Sequence, residues 1–177
     1  MSEYKRQKKV KPEIEAFIAQ ITDPVLRGTM SAFVQILREK KMKPSWYATN
    51  KFHVKYKGKV LLRIYMDWEG HAVVLYLYTV QASQVDRLLK RQDESVRRFF
   101  FDHIRYCRRL SDPDSCASAC APGVDVDVFG QNLEHVCFCS YYCEFYICIN
   151  DPTEEEIAGV WTMLELRKAY IQNGLSV

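Results

Sequence analysis

Long apolar runs are missing from this 177-residue chain. None reaches the ~18 residues that a bilayer-spanning helix needs, so no membrane partner is expected. The basic start, Met1–Lys11, leads into no apolar stretch of the kind a secretory signal carries, and a reducing, cytoplasmic setting is expected. Histidine is sparse, with four residues at positions 53, 71, 103 and 135. No Gly-rich phosphate loop, G-x-S-x-G or H-E-x-x-H stands anywhere in the sequence, so no familiar catalytic signature points to an enzyme. Internal repeats and Gly/Ser linkers are also absent, and a single α+β domain over residues 1–177 is expected.

Acidic residues are scarce in the first part of the chain. Residues 1–110 hold 23 Lys+Arg against 11 Asp+Glu, a net charge of +12, whereas residues 111–177 carry −9. Such asymmetry suits either internal complementarity or a polyanion partner. Residues 1–10 are read as a disordered basic tail.

The hydrophobic pattern supplies the elements. Ile14, Phe17, Ile18 and Ile21 form a helical stripe over Lys11–Ile21. Asp23-Pro24 is a helix start, and Leu26, Met30, Phe33, Val34 and Leu37 carry the next stripe to about Lys41, before Pro44. Strands are predicted over Ser45–Tyr56, Val60–Met66 and Ala72–Val80, the last central in its sheet because it is apolar on both faces. A long helix over Gln84–Tyr106, broken near Gln92-Asp93, and a loop over Ser111–Gly123 follow. Short strands are predicted over Val124–Phe129, Leu133–Cys139 and Tyr141–Ile149. Thr153 and Glu156 form a capping box that opens a final helix. The expected fold is α+β: a mainly antiparallel sheet packed against N-terminal, middle and C-terminal helices.

Cysteine is concentrated. Cys116, Cys120, Cys137, Cys139, Cys143 and Cys148 fall within 33 residues, just after Cys107. The odd total and the reducing setting argue against a disulfide framework. Structural zinc wants four tetrahedral ligands, often thiolates in pairs spaced two to four apart. Cys116-x3-Cys120, inside a loop of small residues, has that form. The expected set is Cys107, Cys116, Cys120 and Cys137, with Cys139, Cys143 and His103 as substitutes. It would staple the Cys-rich subregion, residues 107–148. The alternatives are an iron–sulfur cluster, or buried thiols with no metal, and Cys148 is read as a core thiol. Trp46, Tyr56, Tyr65 and Tyr76 belong to an aromatic-rich meander and are candidates for binding a flat small molecule.

The segments IEAFIAQI, VLRGTMSAFVQIL, Pro44 and SWYATNKFHVKYKGKVLLRIYM…HAVVLYLYTV make a pattern over the first hundred or so residues. In content and order it resembles small bacterial α+β domains related to the frataxin-like iron chaperone of bacilli. The C-terminal third is similar to cysteine-bearing members of such families, in which a Cys-rich loop precedes an FG…VC segment, here Phe129-Gly130 and Val136-Cys137. The resemblance implies Cys116, Cys120 and Cys137 as metal ligands. Iron delivery is not implied, since the first 110 residues are strongly basic. The expectation is a non-enzymatic cytoplasmic bacterial protein that carries structural zinc and binds a small molecule or a protein. The alternatives are a thiol- or metal-dependent enzyme built on the cysteine cluster, and a nucleic-acid-binding module using the basic N-terminal half.

Overall fold

Asp23 shows how local chemistry sets the first elements. Its carboxylate accepts from the N–H of Val25 and Leu26, and Pro24 follows at the first helical position, where no donor is needed. In the computed structural model this opens the third helix of the chain. The structure describes residues 2–67, 71–79, 85–104, 124–128, 130–136, 138–139 and 144–173. Contacts divide the chain into two compact units, Met1–Leu77 with Ile149–Leu164, and Tyr78–Cys148 with Glu165–Val177.

The first unit contains α1 (Glu3–Val10), α2 (Glu15–Ile18) and α3 (Pro24–Glu39). The meander β1 (Ser45–Ala48), β2 (Lys51–Tyr56), β3 (Lys59–Met66) and β4 (Val73–Tyr78) follows. Three sequence expectations change here. Residues 3–10, read as a disordered tail, form α1. It is held by Gln7, whose amide accepts from Trp46 Nε1 and Asn50 N and donates to Asn50 Oδ1 at 2.7 Å. The expected helix over Lys11–Ile21 has its stripe buried at Ile14, Ile18 and Ile21, yet i→i+3 bonds at Phe17, Gln20 and Ile21 leave an α-helix of four residues. The expected strand Ser45–Tyr56 is two strands, because Asn50 turns with φ 54° between β1 and β2.

Helix α3 ends earlier than Pro44. Lys41 takes φ 59°, and Met42 N donates to Leu37 O at 2.8 Å, closing the last turn. Leu26, Met30, Phe33, Val34 and Leu37 are buried along one face of the helix.

All pairings in the meander are antiparallel. Cross-strand partners lie on one face of a sheet. Phe52, Ile64 and Leu75 form one buried row, and Val54, Leu62 and Leu77 form another. Phe17 of α2 meets Phe52 edge-on with ring centroids 5.4 Å apart, so the N-terminal helical region covers this face. The β1–β2 and β2–β3 ladders each carry an extra residue. Tyr47 has no partner opposite it in β2, and Leu61 has none in β2 either, since Val54 pairs with Leu62 and Lys55 with Val60. Leu61 and Leu62 are consecutive and both fully buried.

β4 is interior in the sheet, as its two-sided hydrophobicity predicts. Its outer side meets the C-terminal end of β8 (Glu144–Asn150), continued by Asp151. Asp151 N donates to Val73 O, and Asp151 Oδ1 accepts from Val73 N, each at 2.7 Å. Thr153 and Glu156 then make the expected capping box of α6 (Glu154–Gln172): Thr153 N donates to Glu156 Oε2, and Glu156 N donates to Thr153 Oγ1.

In the second unit the expected long middle helix is two helices, α4 (Val85–Leu89) and α5 (Glu94–His103). Asp93 caps the second by accepting from Val96 N at 3.0 Å. β5 (Val124–Val128) and β6 (Gln131–Val136) form a hairpin, with Gly130 at φ 74°. β7 (Phe138–Cys139) pairs with β8, and Ile104 bridges to Ile147.

Candidate binding face of the sheet

The strands that bury Phe52, Ile64 and Leu75 on one side must present their alternate residues on the other. The register places His53, Arg63 and Tyr76 in one cross-strand row, and Lys51, Tyr65 and Val74 in the next. All six are half-buried. Lys55 follows His53 by two positions and is exposed beside Val60. β1–β4 contain no Asp or Glu; their charged residues are Lys51, Lys55, Lys59 and Arg63.

These side chains are ordered by one another. The ring of Tyr47, the extra residue of β1, stacks on His53 with centroids 3.5 Å apart and planes 9° apart. Arg63 Nε donates to His53 Nε2 at 3.1 Å, and the guanidinium lies 5.6 Å from the centre of the Tyr47 ring. Lys51 Nζ stands 5.2 Å over Tyr65. Burial, and then the positive charges of Arg63 and Lys55, push the His53 pKa down to about 4. At neutral pH the imidazole is therefore uncharged and accepts from Arg63 through Nε2. Charge on this face is positive, and rings lie between the charges.

Of the four aromatic residues expected to bind a flat molecule, this face unites Tyr65 and Tyr76. Trp46 pairs with Phe52 on the opposite side, its indole N–H taken by Gln7 and its ring 6.0 Å from Tyr4. Tyr56 alternates with Phe52 and Val54 and pairs with Lys59 beside the hairpin turn. Tyr47, itself one of the meander's aromatic residues, completes the face together with His53 and Arg63, which carry no binding expectation from sequence. The alternation Lys51, His53, Lys55 was a signal for them, but it emerges only when β2 starts after the Asn50 turn.

Among the metal candidates, Cys107, Cys116, Cys120, Cys137 and Cys143 lie outside the described residues. Cys139 lies in β7. His103 ends α5, with Nδ1 2.9 Å from Phe99 O. A carbonyl oxygen can only accept, so Nδ1 is the donor in this contact. Cys148 is half-buried in β8, between fully buried Ile147 and Ile149. Among the described residues no three His, Cys, Asp or Glu side chains cluster as metal ligands, and no helix is long and apolar enough to cross a membrane. No protein-family model matches the chain, and neither a curated protein nor a solved structure is found to be similar to it.

Proposed function

We propose that this chain is a non-enzymatic binding protein of the bacterial cytoplasm, and that its sheet face takes a planar ligand carrying negative charge. The observation that carries this reading is the pair of rows His53–Arg63–Tyr76 and Lys51–Tyr65–Val74, on strands free of carboxylates. A ring can lie on Tyr65 or Tyr76, while Lys51, Lys55 and Arg63 offer donors to an anionic group. A neutral His53, already engaged by Arg63 and Tyr47, serves this surface as a support rather than as a general base. Structural zinc belongs to the same reading, held by Cys107, Cys116, Cys120 and Cys137. Cysteine spacing supports it, and so does the resemblance of the C-terminal third to cysteine-bearing bacterial domains.

Melting the protein with millimolar nucleoside monophosphates and planar aromatic carboxylates tests the binding face. At least one compound should raise the melting temperature, and the double variant Lys51→Ala, Tyr65→Leu should lose that rise while still melting cooperatively. A panel that leaves the melting temperature unmoved, oligonucleotides included, would end the proposal.

A further inference from the structure

Two arginines of α3 reach across to the segment around α2 and mark the ends of a trough. Arg38 Nε donates to Glu15 Oε1 at 2.6 Å, and its Nη2 donates to Glu13 Oε2 at 3.2 Å. One helix face earlier, Arg27 Nη1 donates to Ile21 O at 3.1 Å, shortly after α2 ends. At a rise of ~1.5 Å per residue these two straps stand ~16 Å apart along α3. Between them lies an open-topped cavity of about 430 Å³, within the range of small-molecule sites. Buried Ile18 and Val34 form its floor, and exposed Ala19, Ser31 and Gln35 form its sides. The two ends differ in charge. At one, Arg38 and Lys43 face Glu13 and Glu15, two cations for two carboxylates. At the other, Arg27 has no ion pair among the described residues. Asp23, one turn before it, gives its carboxylate to Val25 N and Leu26 N.

We propose that this trough binds an unbranched aliphatic carboxylate of medium length, with its carboxylate on Arg27 and its chain laid over Ile18, Ala19 and Val34 toward Arg38. With Nη1 on Ile21 O, the Nε and Nη2 side of the Arg27 guanidinium offers the two parallel N–H groups that a carboxylate accepts. The head group belongs at this end, because Glu13 and Glu15 repel a further carboxylate at the other. A linear chain fits an elongated space between two helical segments, whereas a single ring would fill only part of it. The aliphatic stems of Arg27, Gln35 and Arg38 add apolar surface along the rim. The trough shares no residue with the sheet face, so the proposal stands apart from the planar-ligand reading.

Calorimetric titration of the full chain with octanoate, below its micelle-forming concentration, tests this. Octanoate should bind more tightly than octanol, which has the chain without the charge, and than acetate, which has the charge without the chain. Each methylene added between butanoate and octanoate should tighten binding about two- to fourfold. Arg27→Gln should weaken octanoate binding about ten- to a hundredfold and leave octanol unchanged, and Arg27→Lys should restore part of the affinity. Arg27 is exposed, so the variants keep the fold, which their melting curves check. The Lys51→Ala, Tyr65→Leu variant should bind octanoate as the wild type does. Absence of octanoate binding at millimolar concentration would overturn the proposal. If octanol binds as tightly and Arg27→Gln changes nothing, the trough is an unselective apolar groove and the proposal falls. If the sheet-face variant loses octanoate while Arg27→Gln retains it, the carboxylate sits on the sheet, and the proposal falls while the reading of that face is strengthened.

Discussion

Gln7 does at residue scale what no lysine around it does. It is 3 % exposed and satisfies the indole N–H of Trp46, the Asn50 N–H and Asn50 Oδ1, so one side chain docks α1 and fixes the β1–β2 turn. Gln7→Leu keeps the bulk but orphans the indole N–H, the Asn50 N–H and the Asn50 Oδ1. It should cost about 2–4 kcal/mol in urea unfolding, and an unchanged midpoint would refute the role. His53 makes a second residue-scale prediction. Its ordinary pKa is 6.5 and its folded value is about 4, lowered by burial and by the nearby Arg63 and Lys55. Between those values the unfolded chain binds a proton that the folded chain resists. Stability therefore falls as pH drops from 6.5 toward about 4 and levels off below. After allowance for solvent the loss is on the order of 2 kcal/mol. His53→Gln should remove that part of the slope; parallel wild-type and variant profiles would show that the imidazole has no such role.

Element boundaries depended on chemistry of unequal visibility. The Asp23-Pro24 start of α3 and the Thr153–Glu156 box of α6 are local signals, and both could be read directly. The turn at Asn50 was not legible, because the Gln7 side chain that holds it lies 43 positions away in sequence. α1 was hidden for the same reason. Its sequence is almost wholly polar, and docking comes from one buried amide rather than from an apolar stripe. Lys41 ends α3 in a conformation that glycine adopts without strain. Lys41→Gly should therefore stabilise the fold by about 0.5–1 kcal/mol, a rise that thermal melting resolves and that a buried role for the lysine would reverse.

The whole molecule is best understood from its charge. The excess of +12 in the first 110 residues was plain in the sequence, but which strands share a face was not, since that depends on register. Register also separated Tyr65 and Tyr76 from Trp46 and Tyr56. If zinc organises the Cys-rich subregion, purified protein should contain about one zinc per chain, and Cys116→Ser should lower both that content and the melting temperature. Metal-free protein from zinc-replete, reducing expression would remove zinc from the proposal. One last consequence concerns Leu61. Counted from the hairpin turn, β3 has one residue too many; counted from β4, it has none. The surplus is absorbed at a single point, so the hairpin can lose that residue without changing phase. A chain lacking Leu61 should be less stable yet keep Arg63 and Tyr65 turned toward the ligand, a difference that melting and binding together would display.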